Sequence, residues 1–149
     1  MNRRERLERM LELRRSKVEA CRAAAGHLQG QVDDAVSALD AAEEQLRRTE
    51  ELQRQASSPG GIDLKRVLAL EEGVLGVRGL VVRSASAVAA TERRRDEVRA
   101  RLEIVAREAR GSERALARCE DELARAERRR TWNALIDFSL RGAGREEAA

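Results

Sequence analysis

The chain has no Tyr, one Trp, one Phe and a single Pro among its 149 residues. Without large rings, and with little Ile, a compact core is hard to fill. A long seam between helices needs only Leu, Val and Ala. One Pro leaves long helices uninterrupted, so the composition points to an all-α coiled coil rather than to an ordinary globule. Two cysteines, Cys21 and Cys119, are too few for a disulfide framework and have no metal-ligand spacing. They read as small buried hydrophobes, roughly opposite each other, rather than as a redox pair. The single His27 has no cluster around it and reads as a solvated surface side chain. There is no Gly-Lys phosphate loop, no GxGxxG after a strand and no zinc pattern. The expectation is therefore a protein that is not an enzyme, with no catalytic residue, cofactor or metal. The N-terminus lacks an apolar signal core. The most apolar stretch, "GVLGVRGLVV", is short and broken by Arg78, which argues against membrane insertion. These features suggest a soluble cytosolic protein.

Charge is what the chain has in abundance. Asp, Glu, Lys and Arg make up 38% of it, yet the net charge is only +3. Acids sit beside nearly every Arg cluster, so the balance by itself does not imply a nucleic acid. The carboxylates interleave with arginines at helical spacing, which supports helix surfaces rather than acid–base chemistry.

Starting at Leu7 as a heptad d position, steps of four and three land on Leu11, Arg14, Val18, Cys21, Ala25, Leu28, Val32, Ala35, Leu39, Ala42, Leu46, Thr49, Gln53 and Ala56. Twelve of the fifteen positions are apolar, about twice what composition would give, so the register is real. Seven heptads without a stutter favour a left-handed supercoil. A second walk from Val81 runs through Ser84, Val88, Thr91, Arg95, Val98, Leu102, Val105, Ala109, Ser112, Leu116, Cys119, Leu123 and Ala126, with ten of fourteen apolar. Between the two lies "SSPGGID", whose Pro59, Gly60 and Gly61 are the strongest breaker cluster, with Asp63 or Ser58 placed to cap the next helical stretch. Gly73, Gly76 and Gly79 each cost about 1 kcal/mol of helix propensity. They predict either a loose joint where the chain reverses or a smooth surface for a partner backbone.

The predicted organisation is one domain, 1–149. It comprises a helix over 3–56, a joint over 57–80 with a short helix at 63–72, a helix over 81–141 ended by Gly142, and a frayed tail over 142–149. A parallel dimer would set the acidic stretch from Asp33 to Glu51 against its own copy. An antiparallel hairpin sets it against Arg93, Arg94, Arg95, Arg99 and Arg101. The expected fold is therefore a monomeric antiparallel coiled-coil hairpin, with facing positions summing to about 137.

In that register the second helix outruns the first near Arg130. The only Trp and the only Phe fall just beyond, in "RRRTWNALIDFSL". Trp132, Leu135, Ile136 and Ser139 share one face, with Phe138 and Leu140 beside it. Such a stripe either folds back on Met10 and Leu11 or is a binding surface. Residues 1–20 and 128–141 each carry a net +3, so the terminal end is expected to be basic as well as aromatic.

The opening "RRERLERMLELRRSKVEA", the mid-chain joint, and the long "ERRRDEVRARLEIVAREARGSERALARCEDELARAERRR" helix with its short apolar end resemble the FliJ/YscO-type central stalk of flagellar and virulence type III secretion systems. The likeness lies in architecture and charge pattern over the whole chain. It implies a cytoplasmic stalk, peripheral at the inner-membrane export apparatus, whose terminal end enters and stimulates a hexameric secretion ATPase. The other end would reach the cytoplasmic domain of the export-gate protein, and some members also bind export chaperones. Carried onto this sequence, the ATPase-facing tip comprises Arg3, Arg4, Arg6, Arg9, Arg128, Arg129, Arg130, Trp132, Leu135 and Ile136. The gate-facing end comprises Leu52, Val74, Val77 and Val81. The lack of aromatics near the joint leans toward the virulence branch. Competing expectations are a coiled-coil scaffold or secretion chaperone and, further off, a nucleic-acid-associated coiled coil.

Overall fold

A computed structural model describes residues 2–57, 60–61 and 63–146, the last five of these by their backbone only. The chain is an all-α helical hairpin of two long helices packed against each other, α1 (Arg3–Ala56) and α2 (Leu64–Glu146), with no strand among the described residues. The Asn2 amide donates to the Glu5 carboxylate at 3.0 Å, while the Asn2 carbonyl accepts from the Arg6 amide at 3.1 Å. Glu5 thus reaches back over the first turn of α1, as in a capping box. Asp63 caps α2, its Oδ1 accepting from the amides of Lys65 at 3.2 Å and Arg66 at 3.4 Å. Gly61 has φ of 128°, a conformation that glycine adopts without penalty and L side chains rarely do. The other candidate cap, Ser58, lies outside the described residues, as does Pro59.

The first helix has the expected bounds, but the joint is much shorter than residues 57–80. Helix α2 begins at Leu64 rather than 81 and passes straight through Gly73, Gly76 and Gly79. The seam explains why. The walk that starts at Val81 extends backward through Val77, Val74, Leu70 and Val67, all buried or half-buried. Burying these side chains, at about 1.5–3 kcal/mol for each when complete, outweighs the propensity cost of the glycines. Gly142 does not end the helix, which continues through Glu146. Residues 147–149 of the expected tail lie outside the described residues.

The packing forms two compact units, Ala20–Leu102 and Met1–Glu19 with Glu103–Ala149. In the first, the helices run antiparallel: Arg99 donates to Gln29 at 3.1 Å and Arg78 to Glu50 at 2.9 Å. Val32, Ala42 and Val74 are buried in this seam. Arg95 occupies a polar seam position. Its hydrogen bond to Asp96 is the main cause of a pKa above the ordinary arginine value; partial burial opposes it, and the charges of Asp96, Glu92 and Asp33 add to it.

In the other unit the helices are again antiparallel. Arg3 reaches Glu122 at 3.2 Å, Arg4 reaches Glu120 at 3.4 Å, and Arg15 reaches Glu113 at 3.0 Å. Leu11, Val18, Ala109 and Cys119 are buried. Arg14, a predicted seam position, donates to the Glu108 carbonyl at 2.9 Å and to the Ser112 hydroxyl. In both units the facing positions sum to about 124–128, not 137. The register expectation centred the reversal on the glycines, and the true reversal lies earlier. Cys119 therefore sits at the level of Arg4 to Leu7, and Cys21 falls in the other unit, so the two are not opposite each other.

One 18-residue window within Leu64–Arg141 has a mean hydropathy of 1.3 and at most two charged residues. By length and composition that is enough to cross a bilayer, although only 11% of the window is buried. Arg78 is held by Glu50, and Val74 is 4% exposed in the seam, contacts that insertion would break.

Candidate functional site: the overhanging end of α2

Helix α1 starts at Arg3, beside Glu122, yet α2 continues through Glu146. The overhang thus begins well before Arg130, and Trp132 lies about 15 Å beyond Glu122 at ~1.5 Å per residue. From Glu120 to Arg141 every side chain is exposed except half-buried Ala126. Trp132 is 65% exposed, Leu135 58% and Phe138 79%. The fold-back onto Met10 and Leu11, one of the two alternatives for this stripe, does not occur. Leu11 is buried in the α1–α2 seam of this unit, and the indole stands outside it.

Helical geometry sets the direction of the stripe. Ala126 is the last position of the seam that shows burial. Leu135 comes nine residues later, or two and a half turns at ~3.6 residues per turn, and so projects from the opposite side of α2. Trp132 and Ser139 lie within about 60° of Leu135 on the same reckoning. The stripe is therefore no continuation of the seam but a second apolar surface facing away from the line of α1. An open groove of about 630 Å³ runs along it, lined by Ala124, Glu127, Arg128, Thr131, Trp132 and Leu135. A neighbouring groove of about 440 Å³ is lined by Glu122, Arg125, Arg128 and Arg129.

The arginines of the expected tip divide into two sets. Arg3 and Arg4 are engaged with Glu122, Glu120 and Glu8, so much of their charge is met within the chain. Arg6 also has a partner, and Arg9 is exposed. Arg128, Arg129 and Arg130 are exposed on the overhang itself, and Arg128 lines the groove beside Trp132. Sequence reasoning missed Arg125, which joins Arg128 and Arg129 around the second groove at spacings of three and four.

The expected gate-facing residues do not form one surface. Val74 is buried, and Val77 and Val81 are half-buried in the seam with α1; only Leu52 is exposed, at 47%. The large apolar side chains of α2 that stand outward near the turn are Leu64, Leu68, Leu75, Leu80 and Val82. Three of them, Leu68, Leu75 and Val82, were legible as the residues next after seam valines.

Among the described residues the other ionisable groups do not assemble into a site. His27 is exposed and its ring lies 3.1 Å from the Gln31 side chain. No three His, Cys, Asp or Glu side chains converge among the described residues in a way that could hold a metal ion. No family model, no curated protein and no solved structure matches this chain, so a functional reading rests on its own residues.

Proposed function

We propose that this chain is a non-enzymatic coiled-coil stalk of the FliJ/YscO type, docking its terminal end on a hexameric secretion ATPase, stimulating it and linking it to the export gate. In this reading it works in the cytoplasm, at the inner-membrane export apparatus. One observation carries the proposal: the Trp132–Leu135–Ile136 stripe lies exposed on a helix that has outrun its partner. A lone helix in water gains little from propensity, and its stability comes from packing an apolar face. Trp and Arg are the side chains most enriched among residues that dominate interfaces, and Arg128 stands beside Trp132. The exposed arginines of the overhang would steer it to an acid-lined surface. The export-gate contact has weaker support, because Val74, Val77 and Val81 are engaged by α1.

The test is ATP hydrolysis by the secretion ATPase encoded with this protein, measured with and without it. Stimulation by the wild type and its loss in Trp132→Ala, at unchanged helicity, is the expected result. Full stimulation by Trp132→Ala would refute the assignment. A second reading, a coiled-coil scaffold or secretion chaperone, is favoured by the outward Leu68, Leu75 and Val82, which would offer a binding face with no effect on any ATPase.

A further inference from the structure

Along α2, Val67, Val74 and Val81 turn toward α1, and the residue after each, one hundred degrees further round, stays on the outside. Those next residues are Leu68, Leu75 and Val82. Leu68 is 52% exposed, Leu75 65% and Val82 66%. This stripe repeats every seven residues in phase with the seam, a spacing suited to another helix. Gly76 and Gly79 lie beside it. A Cβ added to Gly76 would meet nothing within 4 Å, and one on Gly79 would meet only the Arg83 guanidinium at 3.6 Å. Nothing among the described residues requires these glycines, but the close approach of an outside backbone would.

The charges on this face identify the occupant. In a chain that is 38% charged, α2 from Leu68 to Ala90 carries only Glu71, Glu72, Arg78 and Arg83; Glu71 and Arg78 flank the seam, where Arg78 pairs with Glu50, leaving Glu72 and Arg83 as the charges furthest from it. Neither makes an ion pair with a described residue. They have opposite signs and lie eleven residues apart, about 16 Å along the helix, too far to pair with each other. A second copy laid antiparallel across this face, about a two-fold axis between residues 77 and 78, brings each Glu72 to the other copy's Arg83. The same axis places Leu75 of one copy beside Gly79 and Val82 of the other. The face is self-complementary, as a two-fold interface must be.

We propose that the chain forms an antiparallel homodimer through the outward face of α2 around Gly76 and Gly79, locked by two reciprocal Glu72–Arg83 pairs. The interface is built from residues between Leu68 and Arg83, and the proposal does not depend on what the overhanging end of α2 binds. It replaces the expectation of a monomer.

The test is sedimentation equilibrium of the full chain over micromolar to submillimolar concentrations, with helicity recorded for every variant. The expected result is a species of twice the 16.6 kDa chain mass. Glu72→Arg or Arg83→Glu alone should weaken it about tenfold or more, since each change sets like charges together twice. The combined Glu72→Arg/Arg83→Glu chain should regain it. Gly79→Leu should give a helical monomer. A wild type that stays monomeric throughout the range overturns the proposal, as does a dimer indifferent to the single charge reversals. A monomer that instead sediments with phosphatidylglycerol vesicles also overturns it, and assigns the face to lipid.

Discussion

Arg14 crosses the seam to donate a hydrogen bond to Ser112, whose side chain is the most deeply buried among the described residues at 2% exposure. The same guanidinium also reaches the Glu108 carbonyl. Among apolar neighbours this layer favours one alignment, because sliding either helix by a heptad sets the guanidinium against Val105 or Cys119 in place of the Ser112 hydroxyl. Removing one partner should cost stability and removing both should not. Ser112→Ala is expected to lower the free energy of urea unfolding by about 1 kcal/mol. Arg14→Leu with Ser112→Leu should be neutral or stabilising but less faithful in register. A double-mutant cycle with no coupling between the two positions would show that the layer contributes nothing.

Glycine should behave in opposite ways in the turn and in the helices. A Cβ at Gly26 or Gly111 meets nothing within 4 Å, so Gly26→Ala and Gly111→Ala should each raise stability by up to about 1 kcal/mol. Gly61, with φ of 128°, should respond the other way, and Gly61→Ala should lose about 1 kcal/mol or more. Thermal unfolding of the three variants decides this, and a stabilised Gly61→Ala would mean that the turn does not hold that conformation.

The seam should carry most of the stability, and the ion pairs little. Leu11→Ala removes a buried side chain and should cost about 2–3 kcal/mol. Glu50→Gln removes the partner of Arg78 in an exposed pair and should cost less than about 1 kcal/mol. Added salt should shrink the second difference and leave the first. Equal losses from the two variants would contradict this ranking.

Both seams were legible from spacing alone. All fifteen positions of the first walk are buried or half-buried, and in the second only Leu123, at the edge of the overhang, is exposed. What misled was Gly73, Gly76 and Gly79. Local propensity weighs three glycines as a break, but the valines at 67, 74 and 77 bury enough surface to carry the helix through them. That one misreading moved the reversal, and the reversal sets the register of every facing pair. The outrunning of α1 by α2 was nonetheless visible, since Trp132 passes the first helix in either alignment. The direction of its stripe was visible too, in the nine residues from Ala126 to Leu135. The gate-facing residues were misassigned although the walk from Val81, carried backward, already sets Val77 and Val74 in the seam; the glycines stopped it from being carried there.

The exposed indole has an optical consequence. With no Tyr in the chain, nearly all its near-ultraviolet absorption and emission comes from Trp132, which is 65% exposed outside the seam. Unfolding the helices should therefore change the emission maximum little, because the ring is solvated before and after. Docking of the overhang on an apolar surface should shift it to the blue. The fluorescence of this protein is nearly blind to its own folding and reports on whatever covers its end.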